Sequence, residues 1–546
     1  MTIQTYLTKQ MHDALKAAFK LSIESIQIET PKDKTHGDFS TNIAMQLAKD
    51  LRRSPMQIAE TLLPFIHCDA RVESIEIARP GFINFTTNKR YFAEVIPTIL
   101  AQGSSYGNLT IGSNEHYNIE YVSVNPTGSL HIGHARGAAA GDTLSRILKK
   151  AGFEVTREFY VNDGGNQIHQ LTLSIEARYK QTFNIDCALP EDGYYGPEIT
   201  RLAEHIKTTK KDTLLNHPDA YDFFRAYGVD YLLSEIKDDL ARFDVTFDVF
   251  FSEASLYQTD AINQTLSLLK EKGYTYELDG ALWLKTSDFG DSKDRVIIKS
   301  DQTYTYLLPD IAYHHHKVSR GYTKLIDILG GDHHGYVPRL QASIEMVVGK
   351  KGMLEVDLLQ MVKVIEDGVE VKMSKRSGKA LSLRDLIDSV GKDPIRYFFA
   401  MRSLNTHMDL DLDLALKQSN ENPVYYAQYA HARISSLLEK AQSLSMDLSF
   451  QSLEFERLND EKSETLITLL VEYPQVIEEA ATKRIVHRIP QYINRLATAL
   501  HSFYAGDPVI AMDPSNAAVR LALLKAVQIV LSDALNLIGV TAKNKM

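Results

Sequence analysis

The chain has 546 residues, of which 44% are hydrophobic and 24% charged, and its formal net charge is −10. This composition predicts a globular protein of three or four domains, and the negative charge argues against a surface that is basic throughout and coats nucleic acid. The only two cysteines, Cys68 and Cys187, exclude a disulfide framework and a Cys-rich zinc site. No run of about 18 uncharged apolar residues occurs, and the N-terminus lacks the apolar core of a signal peptide, so we expect a cytoplasmic protein.

The first predicted unit is a small α+β module over residues 1–110. Met11, Leu15 and Phe19 recur at helical spacing, and Pro55 begins another helix in SPMQIAETLLPFI. The alternation in VESIEIARPGFINFTT predicts two short strands joined at residues 79–81.

Strand and helix patterns alternate over residues 111–382, which predicts a Rossmann-like, doubly wound parallel sheet. Its predicted strands include NIEYVSV at residues 118–124, FEVTREFYVND and KLIDILGG. We interpret the tyrosine-rich, charged stretch at about 170–290 as a largely helical insertion between the halves of the sheet. Residues 383–420 are predicted as a connecting helical segment, and residues 421–546 as an all-α domain of at least four helices.

The segment NPTGSLHIGHARGAAAGD, residues 125–142, places a turn and a helix start directly after the first strand of the sheet. Gly128 and Gly133 let a bulky ligand approach the backbone, and the helix N-terminus favours phosphate. His131 and His134 lie three apart and can donate hydrogen bonds to phosphate oxygens from one side of the turn. Spacing alone is equally compatible with a tightly packed helix that carries two ordinary histidines.

A second segment, KMSKRSGK, forms a polar loop that ends at the helix-start pattern of Ser382 and Asp385. Lys372, Lys375 and Arg376 concentrate positive charge where a polyphosphate could be held during transfer. Taken alone, the segment is more simply a solvated basic loop. Together with the first segment, it points more specifically to phosphate chemistry.

HIGH at residues 131–134 and KMSKR at residues 372–376 resemble the two signature motifs of class I aminoacyl-tRNA synthetases. The segments EYVSVNPTGSLHIGHARGAAAGD, EFYVNDGGNQI, YLLPDIAYH, GGDHHGYVPR and NPVYYAQYAHAR resemble arginyl-tRNA synthetases in particular. HGDFSTNIAMQLAK resembles the extra N-terminal domain of that family, so the resemblance covers essentially the whole chain. Gly331 departs from the pattern, because relatives often carry alanine there. The resemblance implies a class I catalytic domain between an N-terminal domain that contacts the tRNA elbow and a C-terminal anticodon-binding domain.

The resemblance also implies a two-step reaction. The carboxylate of L-arginine attacks the α-phosphate of ATP, and the arginyl group then passes from the adenylate to the 3′ end of tRNA(Arg). It implies ATP with Mg²⁺ as the substrate complex, and it assigns catalysis to His131, His134, Lys372 and Lys375 by positioning and charge stabilisation. The residues that it places at ATP are Gly128, His131, Gly133, His134, Gly331, Asp332, His333, Met373, Ser374 and Lys375.

A guanidinium is best bound by carboxylates. Asp310 lies four residues after Tyr306 and would share its helical face if the helix continues past the proline, although such a pair is also common on protein surfaces. The resemblance assigns the guanidinium to Glu120, Tyr306 and Asp310, with Gln341 as a weaker candidate. It places Ser123, Asn125 and His134 nearer the amino-acid end of the substrate.

The histidines at 314–316, with His333 and His334, raise the alternative of a metal site. Consecutive histidines point in different directions on a helix, and neither cysteine nor compact HxxxH spacing accompanies them. We therefore predict no metal bound by the protein itself.

The C-terminal domain carries slightly more acidic than basic residues, so any surface for RNA must be local. Aromatic side chains on its first helix could stack on bases, and a basic cluster further on, with Tyr492 for stacking, could contact phosphates. The core and a solvated helix face are the simpler alternatives for these two groups. The predicted tRNA contacts are Tyr425, Tyr429, Arg433, Lys483, Arg484, Arg488 and Arg495.

The sequence therefore predicts an arginine–tRNA ligase that acts as a monomer, with L-arginine, ATP and tRNA(Arg) as partners and no membrane. One alternative is a non-catalytic, synthetase-like protein that serves as a tRNA-binding or regulatory protein. The presence of both signature motifs argues against it, because such a protein needs neither. Another is a nucleotidyltransferase that does not use tRNA, which leaves the helical C-terminal domain unexplained.

Overall fold

The computed structural model describes residues 3–23, 25–29, 31, 33–88, 92–371, 381–505 and 508–546. The N-terminal module packs helices against a three-stranded antiparallel sheet of order β1-β3-β2. Its strands are β1 (Phe39–Thr41), β2 (Val72–Ala78) and β3 (Phe82–Thr87), and its helices include α1 (Ile3–Phe19), α2 (Ile43–Gln46), α3 (Ala48–Leu51) and α4 (Pro55–Leu62). The α+β prediction and both predicted strands are confirmed. Helix α5 (Val95–Gln102) then leads into the next domain.

The central sheet has five parallel strands in the order β11-β10-β4-β5-β6, which confirms the doubly wound prediction. These are β4 (His116–Glu120), β5 (Glu154–Val161), β6 (Val249–Ser252), β10 (Lys324–Gly330) and β11 (Leu354–Leu359). Strand β4 stops at Glu120 and not at residue 124 as predicted, because Val122 and Ser123 have φ angles of 69° and 39°, which a strand does not permit. Strands β4 and β10 are neighbours, and their junction is the switch point where such sheets bind ligands.

Three helices carry the residues discussed below: α6 (Ile132–Lys150) follows β4, while α12 (Leu307–Ser319) and α13 (Val337–Val348) flank β10 in the chain. The predicted insertion is helical in α7 (Gly165–Gln181), α8 (Pro197–Lys210) and α9 (Ala220–Arg242). Its remainder differs from the prediction. Beyond strand β6 it contains α10 (Ala254–Gln258), α11 (Ala261–Glu271) and an antiparallel sheet of β7 (Thr275–Leu278), β8 (Ala281–Leu284) and β9 (Arg295–Ile298). Short β-type segments such as ALWL and RVII explain this sheet.

The segment at 383–420 is also less purely helical than predicted. It contains α14 (Leu383–Val390), α15 (Lys392–Ala400), β14 (Met408–Asp411) and α16 (Leu412–Leu416). Strand β14 pairs in parallel with β12 (Val362–Glu366), which also pairs with β13 (Val369–Glu370). The alternation in MDLDL suits this half-buried strand.

The C-terminal domain is helical as predicted. Its main helices are α17 (Pro423–Ser443), α18 (Glu461–Thr482), α19 (Arg488–Tyr504) and α20 (Pro514–Leu537), and their buried side chains share one hydrophobic core with α6 and the central sheet. Among the helices in the described ranges, none is both long and apolar enough to cross a membrane.

Candidate active site

The first motif forms the N-terminus of α6. His131 is the N-cap, its Nδ1 accepts a hydrogen bond from the Gly133 amide (3.1 Å), and its own amide donates to Nδ1 of His134 (3.2 Å). The two rings stack with centroids 3.5 Å apart. Because each Nδ1 is an acceptor, each ring carries its proton on Nε2. The motif therefore presents two Nε2–H donors at a helix N-terminus, which is a suitable arrangement for phosphate oxygens.

The second motif, with Lys372, Met373, Ser374 and Lys375, lies outside the described residues. The chain just before it is bonded to strand β12, where the Val371 amide donates to the Val364 carbonyl (2.9 Å). Just after it, Ser382 pairs with His131 and the Leu383 amide donates to the Leu130 carbonyl (2.7 Å). The predicted capping box of Ser382 and Asp385 is confirmed. The described chain before the second motif is therefore fixed to β12, and the described chain after it is fixed to the first motif.

Three carboxylates form a row across the switch point of the sheet. Strand register places Glu120 between Glu158 on β5 and Asp327 on β10, and all three side chains are buried. Helix α12 covers this row with Asp310, Tyr313, His314 and Lys317, whose spacing of three, four and seven residues defines one helix face.

These side chains are joined by charged hydrogen bonds. The Lys317 ammonium contacts Glu120 Oε2 and Asp327 Oδ1, the latter at 3.2 Å. The Tyr313 hydroxyl lies 2.7 Å from Glu120 Oε2 and 3.0 Å from Glu158 Oε1. Arg320 donates to both oxygens of Glu158 at 2.7 Å. The three buried carboxylates are thus all paired with cations or hydrogen-bond donors. Such pairing is what makes the burial of several charges tolerable.

His314 is a cation in this network. Its Nδ1 lies 2.8 Å from the Asp310 carbonyl, and its Nε2 lies 2.8 Å from Asp327 Oδ2. Both partners are acceptors, so both ring nitrogens carry a proton. Burial lowers the pKa of His314, but the Asp327 charge outweighs this and raises it above its ordinary value. Burial likewise raises the pKa of Asp327, but the charges of Lys317 and His314 prevail and lower it to about 2.

This pair predicts a pH-dependent stability. The raised folded pKa of His314 gives a contribution that is complete below the ordinary value of 6.5 and is lost as pH rises through the folded pKa. The contribution of Asp327 is complete above 3.8 and is lost as pH falls toward about 2. We expect the free energy of unfolding of the wild type to exceed that of His314→Gln most between about pH 4 and 6.5. Urea denaturation at several pH values measures this difference, and a difference that widens above pH 7 would contradict the assignment.

Asp310 is the carboxylate that this network leaves without a cation. It is half-buried and accepts a hydrogen bond from the Tyr336 hydroxyl (2.6 Å), and it forms no ion pair within the described residues. Burial raises its pKa. Burial and the charges of three carboxylates, Glu253, Asp310 and Glu120, also raise the pKa of the Tyr160 hydroxyl.

Two of the residues predicted at the guanidinium lie outside this network. Tyr306 is the N-cap residue of α12, just before the helix, and it is 92% exposed. Gln341 donates to the Leu354 carbonyl (3.2 Å) of β11. Tyr336, which sequence reasoning missed, is the tyrosine bonded to Asp310. The sequence signal that could have revealed this face of α12 is the recurrence of polar side chains at positions 310, 313, 314 and 317, which is helical spacing.

Glu120, His314 and Asp327 also have the spacing of metal ligands, with one ligand atom from each within 4.8 Å of the others. The Lys317 ammonium contacts two of these three residues. It therefore supplies positive charge where a metal ion would otherwise be required.

The remaining predicted substrate residues line the ends of β4 and β10. Ser123 Oγ accepts a hydrogen bond from the Tyr160 amide (3.0 Å), and Asn125 donates to Gln167 at the start of α7. After β10, residues 331–335 form a 3-10 turn that contains Gly331, Asp332 and His333. A Cβ on Gly331 would lie 3.1 Å from the Gln360 amide, so alanine would fit there only with a small shift.

The predicted aromatic contacts for RNA form a stacked row on helix α17. The rings of Tyr425 and Tyr429 are nearly parallel at 6.0 Å, and His501 stacks on Tyr429 at 5.8 Å. Arg433 continues the row and lies 4.4 Å from the centre of the Tyr504 ring. Such a row of planar groups suits bases that leave their own stack.

The predicted basic cluster is, in contrast, neutralised by acids. Lys483 and Arg488 pair with Glu479, while Arg488 and Arg495 pair with Glu472. The expectation that Tyr492 is available for stacking is wrong. Its side chain is buried, and its hydroxyl bonds the Leu469 carbonyl (2.9 Å), because its helix face packs into the core.

Arg484 joins the C-terminal domain to the edge of the central sheet. It donates to both oxygens of Asp357, at 2.9 and 3.2 Å, and also contacts Glu355, whose other oxygen pairs with Lys324. This contact occupies the guanidinium that sequence reasoning assigned to tRNA.

We expect Arg484→Met to lower the free energy of unfolding by about 1–2 kcal/mol, because it leaves Asp357 without its partner and Glu355 with Lys324 alone. The KM for tRNA should stay within about threefold of the wild type. Thermal denaturation and charging kinetics measure the two effects. A stable variant with a much raised KM would instead indicate an RNA contact.

The fold, the first motif at the start of α6 and the sequence of the second motif define a class I aminoacyl-tRNA synthetase. Residues 95–399 match the family described as "tRNA synthetases class I (R), catalytic domain". Residues 3–87 match "Arginyl tRNA synthetase N terminal domain", and residues 427–546 match "DALR anticodon binding domain". The chain belongs to the arginyl-tRNA synthetase family, whose activity is arginine–tRNA ligation.

Similar proteins agree over the full length. The chain is 50% identical to the arginine–tRNA ligase of Bacillus subtilis over 99% of this chain and 100% of the relative. It is 51% identical to that of Geobacillus kaustophilus, over 96% of this chain and 95% of the relative. The arginyl-tRNA synthetase structure from Thermus thermophilus has the same fold, with a TM-score of 0.78 at 19% identity and complete coverage of both chains. These similarities support the ligase and not the non-catalytic alternative.

Proposed function

We propose that this chain activates L-arginine with ATP and transfers it to tRNA(Arg), and that the acids at the switch point select the guanidinium. The observation that carries the proposal is Asp310, a half-buried carboxylate that pairs with no cation of the described chain. A bound guanidinium supplies that cation, and its further N–H groups reach Glu120. Ser123 and Asn125 then contact the amino-acid end.

For catalysis we propose that His131 and His134 donate Nε2–H to the phosphates of ATP at the start of α6. Gly128 and Gly133 leave room for the nucleotide, and the turn at 331–333 contacts the adenosine. Mg²⁺ binds through the phosphates of ATP. Lys372 and Lys375, with Met373 and Ser374, complete the site by neutralising the charge that develops on the α-phosphate and pyrophosphate.

For tRNA we assign base stacking to the row of Tyr425, Tyr429 and Arg433, because planar groups follow one another there. The cluster around Arg488 and Arg495 is a weaker candidate for contacting tRNA, because acidic side chains already pair with its cations. We further propose a monomer that works in the cytoplasm, where its substrates ATP and tRNA are found.

Charging of total tRNA with labelled arginine, in competition with unlabelled citrulline, tests this proposal. Citrulline has nearly the shape of arginine without its charge, and it would leave Asp310 uncompensated. We expect charging with arginine, and at least about 1,000-fold weaker competition by citrulline. Absence of charging refutes the function, whereas equal competition by citrulline refutes the role of the acids.

A further inference from the structure

Lys317 is the most deeply buried cation at the candidate arginine pocket. Its side chain has no exposed surface, although an ammonium loses strong hydration on burial. The contacts with Glu120 and Asp327 compensate that loss, and their charges raise the pKa of Lys317 although burial alone lowers it. The lysine is therefore charged, and its position is fixed by two carboxylates.

The charges around Lys317 are balanced among the described residues. The network joins three carboxylates to three cations through direct contacts; the members are Glu120, Glu158 and Asp327 with His314, Lys317 and Arg320. Asp310 lies on the same helix face as Lys317 but outside this balanced set. Glu253, a further half-buried carboxylate whose pKa is raised by burial and by the charge of Asp310, also lies outside this set, so the network leaves acidic charge that a bound cation could balance.

The two oxygens of Glu120 differ in their hydrogen-bond partners. Lys317 and Tyr313 both contact Oε2, and Oε1 receives no hydrogen bond from the described residues. Among the oxygens of Glu120, Oε1 is therefore the one with unused hydrogen-bonding capacity within the described residues.

We propose that Lys317 is a positioning residue that sets substrate specificity: its ammonium neutralises Glu120 and Asp327 and occupies Oε2, so that a single guanidinium is bound between Glu120 Oε1 and Asp310. This inference rests on the proposed assignment of Glu120 and Asp310 to the guanidinium. Lys317 itself acts through Glu120 and does not touch the substrate.

Removal of the ammonium has a specific consequence. Burial already raises the pKa of Glu120, and Lys317 is the largest influence that opposes this. Without Lys317, the pKa of Glu120 rises further and its carboxylate is no longer held by the ammonium at Oε2. Arginine binding is then weakened, while ATP, which binds at α6, is not affected.

The test measures KM for arginine and for ATP separately, by ATP–pyrophosphate exchange in the presence of total tRNA. Lys317→Met keeps the aliphatic stem and removes the charge, and Lys317→Arg keeps a charge. We expect Lys317→Met to raise the KM for arginine at least about tenfold with the KM for ATP within about twofold, and Lys317→Arg to remain within about threefold for both.

Chemical rescue separates charge from shape. Lys317→Ala removes three carbons and the ammonium, which together correspond to propylammonium. Added propylammonium should therefore lower the raised KM of Lys317→Ala for arginine at least about fivefold, whereas tetramethylammonium at equal concentration should not. Lys150→Ala is the matched control. Lys150 is also buried in an ion pair, with Asp533 at 2.9 Å, but lies at the opposite end of α6 from His131. The Lys150→Ala variant should be less stable than the wild type but have an unchanged KM for arginine.

An unchanged KM for arginine in Lys317→Met would overturn the inference. So would an equal loss in Lys317→Met and Lys317→Arg, or a folded Lys317→Ala that propylammonium fails to rescue. The wild type shows whether the inference about Lys317 or the proposed function itself has failed. If the wild type itself does not use arginine, the proposed function is wrong and the inference falls with it.

Discussion

Asp310→Asn is expected to raise the KM for arginine by about 100-fold or more, while the KM for ATP stays within about threefold. The substitution keeps the shape and the hydrogen bond from Tyr336 but removes a half-buried carboxylate that forms no ion pair within the described residues. A buried charge that loses its partner costs several kcal/mol, so the guanidinium should be strongly affected. Exchange kinetics with varied arginine and varied ATP measure both constants.

Tyr336→Phe is the matched control for Asp310→Asn. It removes the hydrogen bond to Asp310 and keeps the charge, so its effect on arginine should be clearly smaller. Because burial raises the pKa of Asp310, acidification should increase the KM for arginine in the wild type and not in Asp310→Asn. A loss of ATP affinity with unchanged arginine affinity in Asp310→Asn would contradict its role.

His134→Ala is expected to slow adenylate formation by about 100- to 1,000-fold, because it removes the Nε2–H donor that we assign to the phosphates of ATP. Nδ1 of His134 accepts from the His131 amide, which fixes the proton on Nε2. Since the donor acts chiefly on developing charge, kcat should fall much more than the affinity for arginine. Single-turnover formation of the adenylate measures this rate.

The substitution also breaks a capping box, so a control must separate stability from catalysis. Ser54→Ala breaks the capping box of Ser54 and Gln57 at the start of α4, in the N-terminal module. It should cost about 0.5–2 kcal/mol of stability and leave the adenylation rate unchanged. If His134→Ala has the adenylation rate of the Ser54→Ala control, the histidine serves only the helix start.

The features that sequence alone could predict are those encoded locally. The start of α6 at Ile132 follows from the preceding turn, and the capping box of Ser382 and Asp385 from a spacing of three. The parallel sheet follows from its alternation of strand and helix patterns. Where strands were missed, the segments are short. Strands β7 and β8 form a hairpin of four-residue strands, and β14 pairs with the more distant β12.

The central part of the site depends on long-range register. Glu158 and Asp327 meet Glu120 only because three strands pair with this register, and no local pattern reports that. The same limit explains the basic cluster, because Arg484 is bonded to Asp357, which lies 127 positions earlier in the chain. A charge pattern read along one helix cannot reveal a remote acid that cancels it.

The most direct test of the central claim is ATP–pyrophosphate exchange with each of the twenty amino acids, with and without total tRNA. We predict exchange with arginine alone among the twenty amino acids. Exchange with a different amino acid, or no exchange under either condition by a folded protein that still binds tRNA, would contradict it.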